Sequence, residues 1–489
     1  MRLLRLSAFL ACTIGFVAAC FASETFSKKT YNHGSLPSSV VTADVNRDGF
    51  PDVIAAYRTP NSGSEHGYLD VMLGGYGGTF TSTAFFSTAS DPVKLVAGDF
   101  NNDGYPDVMV LEDSGYQLFL SAKNGSLDTQ SQVPFGCDGC GGNNLVAVDL
   151  NGDHIPDIAF TLCGTTGCAL HTEVNDGTGQ HFTSGGQSTG IGRVIAHSLV
   201  AADFNRDGID DLAVASDNVV EVFRSLGGGQ FTLMQTITPA ANSGTYGLAV
   251  GDIDNKNGPD LVFLAGPSCI PDCIAASTVY EYLNSGSGIL GLKATYTPDS
   301  NSTNALSLVD ITGDNRLDLI TENGELQENN GSLSWAHYSG SGSFSTFSTL
   351  LEMGNPVDIV GRDLNLDSRH DLVVADSDGV FTTPGAVILT NTTSSAAICA
   401  PPSSINLAAK LCSPGSSTSS GTFTVTAAGN SPTGVRRVEL WIDGTKRYQS
   451  PDDRLKTTVT LSSGTHKFVI AAYDQFGKKG STTRYVSVP

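Results

Sequence analysis

The chain has 489 residues, with 27 Lys and Arg against 49 Asp and Glu for a net charge of −22, yet only 16% of residues are charged and 40% are hydrophobic. The ordinary apolar content excludes a disordered chain, and the acidity excludes nucleic acid as a partner because it repels phosphate. Gly, Ser and Thr dominate over Glu, Lys, Leu and Ala, which excludes a helical bundle, and the length leaves room for two or three domains.

Arg2 and Arg5 precede an apolar run over 6–19 that is too short to span a bilayer. Small residues follow, so residues 1–22 read as a secretory signal peptide cleaved before Ser23. Val17-Ala18-Ala19-Cys20 also resembles a bacterial lipobox, which would make Cys20 a lipid anchor. No other run is long and apolar enough to cross a membrane, so the mature chain is expected to have no transmembrane span.

From residue 24 onward a nine-residue motif recurs seven times, its first aspartates 55, 50, 54, 49, 58 and 53 residues apart. A period near 50 marks a repeat architecture. Each period carries the same order of short β-branched runs. One precedes the motif, as in 94–98 and 198–202, and a second follows it, as in 53–57, 108–111, 212–215 and 372–375. A third comes at 68–73 or 219–223, and a more polar fourth opens Gly-x-Phe at 78–81 and 229–232. Four short strands per period, the inner two most apolar, predict a propeller blade. The seventh period ends after its third strand at 386–390, and 24–27 resembles the missing fourth. The N-terminal strand is therefore expected to complete blade seven and remove the open edges.

Hard oxygens fall at motif positions one, three, five and nine, and position seven can offer a backbone carbonyl. The first three sets are Asp44, Asn46, Asp48, Phe50 and Asp52; Asp99, Asn101, Asp103, Tyr105 and Asp107; and Asp149, Asn151, Asp153, Ile155 and Asp157. Next come Asp203, Asn205, Asp207, Ile209 and Asp211, then Asp310, Thr312, Asp314, Arg316 and Asp318, and lastly Asp363, Asn365, Asp367, Arg369 and Asp371. Calcium takes six to eight such ligands at about 2.3–2.6 Å, and alternate side chains on a tight turn converge on one point. Gly at position six of three copies suits a left-handed turn, Asn257 and Asn315 tolerate it, and His154 and Ser368 are less comfortable there. The remaining loop, Asp252–Asp260, has Lys256 at position five, so its ammonium is expected to satisfy Asp252 and Asp260 and keep that loop empty. About six calcium ions follow. Because 21 of the 49 acidic residues occupy ligand positions, the acidity reads as a set of cation sites and not as a surface aimed at a basic partner.

These Asp-x-Asn/Asp-x-Asp-Gly-x-x-Asp loops resemble the FG-GAP or VCBS-type repeats of integrin-alpha-like propellers and of many bacterial secreted proteins. The resemblance covers 24–398, through the loops and the architecture, since the namesake Phe-Gly and Gly-Ala-Pro segments are not kept in register. It implies calcium loops between the first and second strands of every blade, all on one face, with ligands or partner proteins on the opposite face.

Eight cysteines pair at short spacing: Cys137/Cys140, Cys163/Cys168, Cys269/Cys273 and Cys399/Cys412. In an exported chain this implies disulfides, and a zinc site from the first two pairs is the competing reading. Three pairs fall in loops of the face opposite the metal loops, as does 58–67. After a small-residue linker, residues 399–489 form a separate segment with about seven strand-like runs, among them 423–426, 438–442, 457–461, 468–472 and 484–488. This resembles a bacterial Ig-like β-sandwich, with Cys399/Cys412 stapling its first strand and Trp441 and Tyr473 in its core. Lys and Arg are enriched here at Arg436, Arg437, Lys446 and Arg447.

The expected fold is thus all-β: a signal peptide at 1–22, a seven-bladed β-propeller over 23–398 and a small Ig-like β-sandwich over 399–489. Nothing signals catalysis. The nine histidines form no His-x-x-x-His pair, and neither a Gly-x-Ser-x-Gly elbow nor a phosphate loop occurs. The expected role is non-catalytic binding or adhesion, outside the cell or on its surface, to a glycan or protein ligand. A carbohydrate-active lyase or hydrolase is the alternative, since propellers also host enzymes.

Overall fold

The computed structural model describes residues 25–32, 35–59, 67–137, 139–165, 167–187, 196–239, 243–267, 277–298, 303–323, 331–339, 342–367, 369–377, 384–393, 399, 401–402, 406–450 and 453–489. The signal segment, Cys269/Cys273, Ser368 and most of 58–67 lie outside them. Among the described residues there is no α-helix, and the strands form nine antiparallel sheets.

Seven sheets lie between Phe26 and Asn391. The first joins Leu36–Ala43, Asp52–Arg58, Tyr68–Gly75 and Thr79–Ser87 in chain order, and four others repeat this plan. The second sheet departs from four strands. Leu127–Thr129 and Val133–Pro134 pair separately with Gly115–Ser121, so its outer edge is split. The last sheet takes Pro356–Arg362, Asp371–Asp376 and Gly385–Asn391 from one end of the chain and Phe26–Tyr31 from the other, with Phe26 opposite Asn391 and Tyr31 opposite Ala386.

The second strands are buried almost throughout because each is covered on both faces. Alternation along a strand sends successive side chains to opposite neighbours. Val53, Ala55 and Tyr57 pack with Val373, Ala375 and Ile388 of the last sheet, while Ile54 and Ala56 pack with Leu95, Val108 and Phe119 of the second. The first strand of each sheet touches the first strand of the next, and Pro356–Arg362 touches Leu36–Ala43, so the sheets close into a propeller-like ring. At that seam Asp358 accepts hydrogen bonds from Ser39 Oγ at 2.6 Å and Val40 N at 3.0 Å, and pairs with Lys94 of the second sheet at 2.6 Å. All seven first strands carry a register shift at the same place, for example between Pro37 and Ser39 and between Pro356 and Asp358. Such bulges bend the crowded strand nearest the axis.

The two remaining sheets form the C-terminal part. One joins Ala408–Ser413, Thr422–Asn430 and Arg454–Thr460, and the other Thr445–Ser450, Val435–Ile442, Gly464–Asp474 and Lys479–Val488. They face each other across Leu411, Val425, Ala427, Leu440, Phe468, Ile470 and Val486, an apolar core of their own. The Cys399–Cys412 disulfide ties the incoming chain to its first strand. Trp441 and Tyr473, expected in this core, stand partly exposed outside it. Trp441 Nε1 donates to the buried Glu439 at 2.9 Å, and Arg437 lies over the Tyr473 ring at 3.8 Å.

Candidate cation loops and the domain that covers them

Every motif forms the turn between the first and second strands of its sheet. Position two anchors it, since Val45, Phe100, Leu150, Phe204, Ile253, Ile311 and Leu364 are all at most 1% exposed. Position nine opens the second strand, and Asp52, Asp107, Asp157, Asp211, Asp260, Asp318 and Asp371 are fully buried. The loop then closes on itself through backbone amides. Asp44 accepts from Asp48 N at 3.1 Å and Gly49 N at 3.0 Å, Asn46 Oδ1 from Asp48 N, and Asp52 from Val45 N and Gly74 N at 2.8 Å. The same pattern holds Asp99, Asn101 and Asp107, and also Asp203, Asn205 and Asp211. Each position-seven residue, Phe50, Tyr105, Ile155, Ile209, Arg316 and Arg369, donates its N–H to the position-five carboxylate.

Position six is left-handed as expected in the six loops where it is described, with φ near 95° at Gly49 and 65° at His154. Position four is left-handed too, at Arg47, Asn102, Gly152, Arg206, Asn255, Gly313 and Leu366. Asn or Gly in four copies suits this conformation, whereas Arg47, Arg206 and Leu366 adopt it against their own preference. The paired reversals fold each loop tightly, so that the amides of positions five and six point back at the position-one carboxylate, as Asp48 N and Gly49 N do at Asp44. Burial is the main force on the position-nine carboxyls. It pushes Asp52, Asp107, Asp157, Asp211 and Asp371 up to about 7 and Asp260 up to about 8, with neighbouring loop carboxylates adding repulsion against the stabilising backbone amides. Carboxylate and amide oxygens are the donors a calcium ion takes, so residues of these loops could hold one.

The loop expected to be empty is, among the described residues, the one in which three carboxylates come together. Asp252, Asp254 and Asp260 bring one carboxylate oxygen each within 4.8 Å of one another. Lys256 is not inserted among them. Its ammonium reaches Asp254 Oδ2 at 3.4 Å and is 71% exposed, while its backbone N–H serves Asp252 and Asp254. In the sixth loop the intruder is one that sequence reasoning missed: His337 Nδ1 lies 2.9 Å from Asp318 Oδ1. Thr312 contributes its N–H to Asp318 and its hydroxyl to Asp310. Asn175, Asn284 and Asn391 were missed as well. Each ends a third strand and donates Nδ2 to the position-two carbonyl of the preceding sheet's loop, at 2.7 Å to Phe100, 2.8 Å to Phe204 and 2.8 Å to Ile311. Their recurrence at the end of three of the third strands was the available signal.

Two cysteine pairs lie on the opposite face, as the loop alternation requires, and the third expected there, Cys269/Cys273, lies outside the described residues. Cys137–Cys140 lies in a connection between sheets, and Cys163–Cys168 closes a hairpin beside it, both as disulfides and not as zinc ligands.

The loop face itself is covered, contrary to the reading of its acidity. The C-terminal sandwich sits on it. Arg454 Nη2 donates to Asp363 Oδ2 at 2.5 Å, and Arg436 Nη1 to Asp210 Oδ1 at 2.8 Å. Lys478 Nζ reaches Asp99 Oδ2 at 3.4 Å and Asn102 Oδ1 at 3.3 Å. Pro432 O accepts from Asp44 N at 3.1 Å, and Phe476 O lies 3.0 Å from His154 Nδ1. Gln449 Nε2 is 3.4 Å from Asp252 Oδ2, and Arg362 of the last sheet donates back to Ser431 O at 2.9 Å. A cavity of about 660 Å³ remains between the fourth and fifth loops and the sandwich, with Asp203, Asp252, Arg436, Arg437 and Lys446 in its wall.

No curated protein matches the chain by sequence. Among solved structures it is similar to BBS1N in complex with ARL6DN. The lead-soaked crystal aligns at 12% identity and TM-score 0.51, covering 77% of this chain and 98% of that one. The mercury-soaked crystal aligns at 11% identity and TM-score 0.52 with the same coverage. A Lactobacillus plantarum protein aligns at 12% identity and TM-score 0.48 over 66% of this chain and 86% of that one. At these identities the likeness concerns the fold, and that fold is propeller-like. The FG-GAP-like repeat model matches residues 44–110, 99–160 and 203–263, so the chain carries FG-GAP-like repeats in three places, each spanning the loops described above.

Proposed function

We propose that this chain is an exported, calcium-loaded, seven-bladed propeller with an Ig-like sandwich, acting as a non-catalytic binding or adhesion protein. The cover that the sandwich forms over the loop face carries this reading, because it leaves the opposite face for a glycan or protein ligand. Two disulfides brace that face, and bracing lowers the ordering cost of binding. Carboxylates there are committed to structure. Glu112 accepts from Ala89 N and Ser90 N, and Asp376 from Gly354 N and Asn355 N. In the calcium reading, positions one, three, five and nine hold the ion, and the ion neutralises carboxylates that otherwise repel. Export rests on residues 1–22, with Cys20 as the lipid-anchor variant.

A glycan and matrix-protein binding screen, with and without chelator, tests the role, together with metal analysis of the purified chain. About six or seven calcium ions per chain and a chelator-sensitive ligand are expected. An enzyme reading has one observation in its favour. Glu322 is 1% exposed, its Oε2 has no hydrogen-bond partner among the described residues, and Asp358 and Lys94 act on it electrostatically. Product release from a polysaccharide that Glu322→Gln abolishes would replace the adhesion reading.

A further inference from the structure

We propose that the C-terminal sandwich is an electrostatic latch on the loop face, and that its docking and calcium loading oppose each other. The inference rests on the calcium reading above and concerns what this chain's own cations do to those loops.

The charge division comes first. Residues 399–489 hold 11 Lys and Arg against five Asp and Glu, a net +6, whereas residues 1–398 hold 16 against 44, a net −28. The two parts meet where this complementarity is steepest. Arg454 and Lys478 each take Oδ2 of a position-one aspartate, Asp363 and Asp99. In the second loop that oxygen also accepts the position-six amide, Gly104 N at 3.1 Å. Arg436 takes Asp210, next to the position-nine Asp211. Position-one carboxylates are also the groups a cation would need, so a guanidinium or ammonium at 2.5–3.4 Å competes with it for the same negative charge.

Loading would reverse the balance. Each divalent ion removes two negative charges from a loop, which weakens the attraction that holds the sandwich. By linkage, whatever factor calcium takes from docking, docking takes from calcium affinity. The loops are not equal in this respect. Arg454 and Asp363 have side chains only 5% and 3% exposed, so the seventh loop is sealed while the sandwich is docked. The fourth and fifth loops adjoin the 660 Å³ cavity and stay open to ions. Loading would begin there and reach the seventh loop last.

The test uses the full-length chain with calcium as the probe. Calcium titration calorimetry is run on wild type, on Arg454→Gln and on Arg436→Gln/Lys478→Gln, and small-angle scattering follows the separation of the two parts. The double variant alters partly exposed side chains and carries the test if the buried Arg454→Gln fails to fold. The expected result is calcium affinity raised about five-fold or more in the variants, the low end of coupling between sites. A wild-type maximum dimension that grows as calcium is added is expected too. Unchanged or weaker affinity in folded variants, or a dimension that shrinks with calcium, overturns the latch and leaves the calcium reading standing. No calcium uptake by any chain overturns both.

Discussion

Arg454 and Asp363, 91 residues apart in sequence, meet at 2.5 Å across the boundary between the sandwich and the last sheet, both almost wholly buried. Arg454 also pairs with Asp453 at 2.6 Å, so one guanidinium joins the start of the sandwich strand Arg454–Thr460 to a loop of the ring. The contact explains why a strongly acidic face tolerates an approaching domain.

Replacing Arg454 by Ala leaves Asp363 buried beside its own loop carboxylates. Removing one partner of a buried pair costs about 3–5 kcal/mol. A denaturant melt in chelator is expected to show a loss of that size. Arg224→Ala, which breaks a half-exposed pair with Asp207, is expected to change stability by less than about 1 kcal/mol.

The position-nine and position-five aspartates divide two roles. Asp107 accepts Phe100 N at 3.0 Å, Asn101 N at 3.3 Å and Ser121 N at 2.8 Å, all under cover. Asp107→Ala strands those donors and is expected to lose about 3 kcal/mol or more whether or not calcium is present. Asp103→Ala is expected to cost most of its effect only in calcium, since a bound ion stabilises the folded state by mass action. Thermal melts of both variants with calcium and with chelator separate the two cases.

Asn175 joins neighbouring loops by two hydrogen bonds, to Phe100 O at 2.7 Å and Pro156 O at 3.0 Å. Asn175→Ala orphans two buried carbonyls, with an expected loss of about 1–3 kcal/mol. Hydrogen exchange is expected to rise first at the amides of the second and third loops.

Glu322 supplies the pH dependence. Burial, with Asp358 adding to it, pushes its carboxyl up to about 8. The folded chain therefore keeps a proton that the unfolded chain releases near pH 4.5, so this group costs stability as pH rises from about 4.5 to 8. Glu322→Gln is expected to equal wild type near pH 4 and to exceed it by on the order of 3 kcal/mol at pH 7. A gap that does not widen between these pH values would mean that Glu322 has a counter-charge in solution.

Much of the ring was legible because it is local. The runs 53–57, 108–111, 212–215 and 372–375 fall inside second strands, and 386–390 inside the strand that pairs with Phe26–Tyr31. Alternating apolar residues and Asp-rich turns encode these elements within a few residues, and the repeat multiplies the signal. The split outer edge of the second sheet escaped notice because that period lacks the Gly-x-Phe opening. The left-handed turns at Arg47, Arg206 and Leu366 escaped because hydrogen bonds within each loop, such as Asp207 N to Asp203 and Asn205, hold residues where their own preference would not. Lys256 was read as a substitute cation from position alone, and its flexible stem instead lets the ammonium swing outward to solvent.

Sequence by itself determined the seven oxygen-rich turns, the strand order around them and the meeting of both chain ends, because spacing and turn chemistry act over short distances. Tertiary structure decided what the acidic face is turned towards. Asp99, Asp210 and Asp363 are met by Lys478, Arg436 and Arg454 from a domain that looked separate in sequence. That choice depends on the summed charge of one surface and the shape of another, and no single stretch of chain contains both.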